Sequence, residues 1–212
     1  MKTREDTGRR LRARRGEGGQ LRAELVAAAE QLLVRTGDEE AVSIRAIADA
    51  VGVTPPAIYL HFPDKDALIF EVCARRFTEL AEALAAATAG VSDPLDALIA
   101  LGQAYVDFGV NHPEQYRILF MRRNASRKLA PAELRETAAF GHLVAAVERC
   151  QAVGALPAGV ATIEAALELW SVAHGVASLM IGMPGFRWPN DFAERVLTTY
   201  VRGLTSKLET SS

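Results

Sequence analysis

An all-α fold is predicted from three observations. Strong helix formers (Ala, Leu, Glu, Arg) abound, and half of the 212 residues are hydrophobic. Apolar residues recur at three- and four-residue steps along most of the chain, as one face of a helix requires. No stretch alternates β-branched with polar residues in the way a half-buried strand would. The length suits one or two compact domains with a real core. About nine helices are expected, a short N-terminal group followed by a C-terminal bundle.

The first helix should run from near Gln20 to about Arg35. It places Leu21, Leu25, Ala28, Ala29, Leu32 and Leu33 on one face and stops at Gly37. After the acidic loop Asp38-Glu39-Glu40, Ser43 is a helix cap, with Ile44, Ile47, Ala48 and Val51 at helical spacing behind it. Gly52 breaks that second helix where a left-handed residue is wanted. Thr54 caps a third helix of about two turns, with Pro55 in its first position, where a missing N–H costs nothing. Pro63-Asp64 opens a fourth, favoured by Asp64 or Asp66 in its first turn and carrying Leu68, Val72, Leu80 and Leu84.

A second domain begins near Asp93-Pro94, again a cap followed by proline. Leu95, Leu98, Ile99, Leu101, Val106 and Phe108 make the fifth helix apolar almost all round, hence deeply packed. His112-Pro113 breaks it and starts a short sixth helix through Met121, followed by a polar loop from Arg122 to Lys128. Pro131 begins the seventh, whose inner face carries Leu134, Leu143, Ala146, Val147 and Cys150, ending at Gly154. The eighth runs from about Val160 to Met183 and is ended by Pro184-Gly185. Asn190 caps the ninth, with Phe192, Val196, Tyr200 and Leu204 at four-residue steps.

Residues 43–65 are the most informative stretch. Two short helices around a glycine turn form a helix-turn-helix, the geometry that seats a short helix in a DNA major groove. Ile47-Ala48, Gly52-Val53-Thr54, Ile58-Tyr59, His61-Phe62 and Lys65 together resemble the N-terminal motif of the TetR family of bacterial transcriptional regulators. The resemblance implies an N-terminal three-helix helix-turn-helix domain and a C-terminal helical-bundle domain for sensing and dimerisation. Farther on, Trp170, His174 and Gly175 are similar to a Trp-x-x-x-His-Gly signature of one C-terminal subgroup of that family. The domains expected are a basic flexible arm (1–19), a DNA-binding domain with its connecting helix (20–90), and a ligand-sensing and dimerisation domain (91–212).

Residue chemistry supports contact with double-stranded DNA. Tyr59 and His61 carry polar tips on short, stiff stems, suited to phosphate oxygens. By the resemblance, Ser43, Thr54, Tyr59, His61 and Lys65 take phosphate-facing positions. Arg45, Pro55, Pro56 and Ala57 take positions that can face base edges. The Arg45 fork matches guanine O6 and N7, whereas Pro55, Pro56 and Ala57 offer apolar contact. Residues 1–22 hold eight Lys and Arg against three Asp and Glu, although the whole chain carries −2. A basic arm ahead of a mildly acidic body fits a polyanionic partner.

Enzymatic chemistry finds no motif. His61, His112, His142 and His174 belong to no His-Glu-x-x-His and no Glu-x-x-His, and the Gly16–Gly19 stretch lacks the partners of a phosphate loop. No metal or cofactor is expected. Cys73 and Cys150 read as reduced, buried small hydrophobes. No signal peptide and no apolar run of about 18 residues is evident, so a cytoplasmic protein without a membrane partner is expected.

In the second domain, Tyr105, Phe108, Tyr116, Phe120, Met121, Phe140, Trp170, His174 and Met180 lie on helices that in the resembled family surround a ligand cavity. Tyr105, Phe108, Phe120, Met121, Phe140, Trp170 and His174 are the candidate contacts to a small apolar ligand. A homodimer through the last two helices is expected, with Ala173, Gly175, Ala177, Ser178 and Gly182 forming a low-profile surface on the eighth. The whole reads as a ligand-responsive repressor. The alternatives are a ligand-independent or activating regulator, or a helical-bundle binding protein or enzyme.

Overall fold

A computed structural model of the protein describes residues 18–120, 137–157 and 159–206. Among these residues there are nine helices and no strand: α1 (Gly18–Thr36), α2 (Ile44–Val51), α3 (Pro55–Tyr59), α4 (Lys65–Thr88), α5 (Pro94–Asn111), α6 (Pro113–Phe120), α7 (Ala138–Ala152), α8 (Thr162–Gly182) and α9 (Phe192–Ser206). The basic arm through residue 17, Met121, the polar loop, Pro131 and Leu134 lie outside the described residues.

The cap signals act where they stand. The Ser43 hydroxyl accepts the Ala46 N–H at 3.1 Å, Asp64 Oδ1 accepts that of Ala67 at 2.7 Å, and Asp93 Oδ1 accepts those of Leu95 and Asp96. Gly52, at φ 75°, lets the Val53 N–H reach back to the Ala48 carbonyl at 2.9 Å and close α2 in a left-handed cap. Two caps differ from expectation. Thr54 stands at the cap position of α3 but makes no side-chain capping bond there. The first helical bond of α9 runs from the Arg195 N–H to the Asp191 carbonyl, so the cap moves from Asn190 to Asp191.

The chain groups into two compact units. The first comprises α1, α2, α3, α4 up to Arg75, and residues 117–120; the second comprises α4 from Arg76, α5, α6 up to Tyr116, and α7 to α9. The dividing point of these two units falls inside α4. Leu68, Ile69, Val72 and Cys73 are buried in the core of the first unit with Leu25, Ala29, Ile47 and Ile58, whereas Leu80 and Leu84 are buried in the second.

The second unit is built on α5, which packs against α7, α8 and α9. Two glycines set its close approaches. A Cβ at Gly102 would lie 3.0 Å from Leu197 Cδ2 of α9, and one at Gly109 only 2.8 Å from Tyr116 Cδ2. Cys150 is buried, and its Sγ lies 3.2 Å from the Pro94 carbonyl, to which it donates; burial pushes the thiol up to about 11.

α8 corrects two expectations. Its 21 residues, with a mean hydropathy of 1.3 over the most apolar window, are long and apolar enough to cross a membrane, although Glu164, Glu168 and His174 interrupt any unbroken run. In this fold α8 packs against α5, α7 and α9. Second, Ala173 and Ala177 are buried within the protomer, and Ser178 bonds inward to Tyr116, so they do not belong to an outward small-residue surface. Gly175 and Gly182, with nothing within 4 Å of an added Cβ, do. On α9 the same holds for Leu204, which turns inward with Leu197 and Val201.

Candidate nucleic-acid interface and polar cluster

In the first unit, Ile58 anchors α3 by burying completely in the core, and Phe62 buries behind it. The helix period then turns Pro55, Pro56 and Tyr59 outward, and all three are exposed. Tyr59 is 54% exposed and Leu60, which closes α3, 84%. Ser43 and Arg45 are exposed at the start of α2; Thr54, Ala57, His61 and Lys65 are half-buried. The fold thus sets Ser43, Arg45, Pro55, Pro56, Tyr59 and Leu60 at the surface of the two motif helices.

Lys65 also has an internal task. Its Nζ donates to the Glu39 carbonyl at 3.1 Å, tying the start of α4 to the loop before α2. Arg22 of α1 braces the same region. Its guanidinium stands 4.7 Å above the Phe62 ring and grips both carboxylate oxygens of Glu71, at 2.6 and 3.2 Å. That hydrogen bond raises the Arg22 pKa and lowers the Glu71 pKa. Sequence reasoning counted Arg22 only as part of the basic arm. Its partner is 49 residues away, beyond any local pattern.

In the second unit, a polar cluster gathers around His174 of α8. Tyr105 Oη lies 2.9 Å and Tyr116 Oη 2.6 Å from its Nδ1, and the Trp170 Nε1–H donates to Tyr105 Oη at 3.1 Å. Tyr116 Oη is also within reach of the His174 carbonyl (3.3 Å) and Ser178 Oγ (3.2 Å). A single imidazole nitrogen makes one such bond, as donor or acceptor according to the ring tautomer, so one hydroxyl pairs with Nδ1 and the other turns elsewhere. Tyr116 is the closer of the two, and Trp170 donates to Tyr105.

Apolar rings surround the cluster. Phe140 meets Trp170 edge-on at 6.0 Å, and Tyr116 stacks on His174 at 5.4 Å. Of the candidate ligand contacts, Tyr105, Phe140, Trp170 and His174 are therefore brought together. Phe108 is buried too, its ring 5.3 Å from that of His112. Phe120 groups with the first unit, and Met121 lies outside the described residues. Tyr116 and Ser178 complete the cluster; the first carries a broad aromatic signal, the second none.

Burial lowers the His174 pKa and raises those of Tyr105 and Tyr116, which keeps the cluster uncharged at neutral pH. A histidine whose folded pKa is depressed takes up its proton in the unfolded chain first. Stability is then present above the ordinary value of 6.5 and is lost as pH falls from there through the folded value. His174→Gln should flatten that part of a melting-temperature profile. Equal slopes for both proteins between pH 7 and 5 would remove His174 from the account.

Comparison with known proteins agrees with both halves of this description. Residues 25–72 match the family described as bacterial regulatory proteins, tetR family, and residues 98–204, half of the chain, match the tetracyclin repressor-like C-terminal domain. The chain is similar to the HTH-type transcriptional activator FasR of Mycolicibacterium smegmatis, at 31% identity over 99 residues. That match covers 47% of this chain and 45% of FasR, so the chain spans less than half the length of that relative. It is similar to the uncharacterised HTH-type transcriptional regulator YobS of Bacillus subtilis at 25% identity, covering 77% of this chain and 82% of YobS. A solved structure of a protein of unknown function from Rhodococcus sp. RHA1 superposes with a TM-score of 0.69 at 27% identity, covering 88% and 94% of the two chains. With its helix-turn-helix and its C-terminal domain both matched, the chain belongs to the tetR family of DNA-binding bacterial transcriptional regulators.

Proposed function

We propose that the protein represses transcription by binding a near-palindromic operator as a homodimer, and that a small apolar molecule in the second unit releases it. The observation that carries the reading is the surface of α2 and α3. Arg45 and Tyr59 stand exposed on a pair of short helices anchored by Ile47 and Ile58. A five-residue helix reads only a few base pairs, so two copies are needed to specify a site. The outward faces of α8 and α9, with Gly182 exposed and Gly175 half-buried beside open space, would join the copies. The Tyr105–Tyr116–Trp170–His174 cluster, among buried aromatic rings, would receive a ligand that is mostly apolar with one hydrogen-bonding group. No Lys or Arg lies on α8, so a strongly anionic ligand fits less well. Release needs only that the ligand prefer a dimer whose reading heads no longer match the operator; a preference of about 3 kcal/mol weakens binding roughly 100-fold.

The test is duplex binding with footprinting over a salt series. A symmetric two-half-site footprint and an affinity falling steeply with salt are expected. Tyr59→Ala should weaken binding to every sequence, whereas Arg45→Ala should cost about 1–3 kcal/mol and relax preference at one base pair per half-site. Uniform weakening by Arg45→Ala would remove its base-reading role.

A second reading has a specific observation behind it: FasR is named a transcriptional activator. Transcription in vitro from a bound promoter separates the two. A rise in transcript when the protein is added favours activation; a fall reversed by ligand favours repression.

A further inference from the structure

The outermost ridge of α3 is made of Pro56 and Leu60. They are four residues apart and flank Ile58, whose burial turns that ridge away from the core. Both are exposed, Leu60 at 84%. Neither side chain can donate or accept a hydrogen bond. Across residues 55–60 only the Tyr59 hydroxyl can do so. Scattered exposed apolar residues are ordinary on a protein surface, but here Pro55, Pro56, Tyr59 and Leu60 lie together on one short helix. Base edges in the major groove offer one apolar feature, the C5-methyl group of thymine.

We infer that the Pro56–Leu60 ridge reads operator sequence through thymine methyl groups rather than through hydrogen bonds to base edges. This rests on α3 being the helix that enters the major groove. It assigns Leu60 a specificity-determining role beside Arg45. Discrimination then has two chemistries: a guanidinium on α2 that can match guanine, and an apolar ridge on α3 that matches a methyl. A ridge of this kind is indifferent to the donor and acceptor pattern of the pair carrying the methyl. It therefore accepts 5-methylcytosine·guanine where it accepts thymine·adenine, and rejects uracil·adenine and cytosine·guanine alike.

The experiment selects duplexes bound by the full chain from a random pool. Each half-site thymine of the tightest operator is then replaced by uracil, one position at a time and symmetrically in both halves. At one or two positions per half-site, each lost methyl should weaken binding roughly fourfold, and the symmetric pair roughly 15-fold, as expected for apolar surface left unburied. At those positions 5-methylcytosine·guanine should restore affinity to within about twofold, while cytosine·guanine should not. Leu60→Ala, a change at an exposed position, should remove the methyl sensitivity at one of them. Uracil tolerated at every thymine, or Leu60→Ala retaining the full sensitivity at every position, overturns the inference while leaving DNA binding intact. Failure to bind any duplex overturns the inference together with the reading it rests on.

Discussion

Tyr116→Ala is expected to destabilise the second unit by about 3–5 kcal/mol, the range for removing a large buried ring. Tyr116 is completely buried and the largest such side chain in the described residues. Its ring lies so close to α5 that a Cβ at Gly109 would sit 2.8 Å from Cδ2, and its other side stacks on His174 at 5.4 Å. The hydroxyl adds bonds to His174 and Ser178, whose loss strands polar groups in a low-dielectric site. For a chain of this size that loss lowers the melting temperature by roughly 6–20 °C. Tyr116→Phe keeps the packing and removes only the hydroxyl, so it should cost about 1–3 kcal/mol. Melting curves of the two variants decide the matter. If alanine and phenylalanine cost the same, the ring is not the keystone of α5, α6 and α8.

Gly175→Leu should abolish dimerisation, and operator affinity with it, while leaving each protomer folded. Within the protomer nothing lies within 4 Å of a Cβ at Gly175, so a leucine there has room. Across the proposed two-fold interface built on small residues it would have none. Overpacking costs typically about 1–3 kcal/mol at each site, and symmetry applies it twice. Sedimentation shows the mass and circular dichroism the helix content. A monomer with wild-type helicity is the expected pair of results. A dimer of unchanged stability would place the interface away from this face of α8. Ala173 and Ala177, buried in the protomer's own core, serve as the contrast. Leucine at either should damage folding itself.

Local signals were legible because their physics is local. The caps at Ser43 and Asp93 and the left-handed glycine at Gly52 satisfy backbone groups within four or five residues, so a short window of sequence contains both partners. The motif that carries the DNA assignment is of the same kind. Ile47, Gly52 and Ile58 dictate a helix, a turn and a helix with a buried inner face, and the exposure of Arg45 and Tyr59 follows. The assignment of faces was harder where the residues are alike. Ala173, Gly175, Ala177 and Gly182 are all small, so hydrophobic period alone does not separate those turned to the core from those turned away.

Among the described residues, the sequence by itself determined the all-helical class, the order of the helices, and the helix-turn-helix with Arg45 and Tyr59 turned outward. Each of these depends on contacts spanning a few positions and on a 3.6-residue period. The tertiary structure alone decided which distant groups meet. Arg22 finds Glu71 across 49 residues, and Tyr105 and Tyr116 find His174 across 69 and 58. It also decided that α4 is shared between two units and that Lys65 serves the Glu39 carbonyl. The physical reason is common to all of them. Groups distant in sequence meet only where packing brings them together, and packing depends on the sum of many apolar contacts rather than on any spacing along the chain.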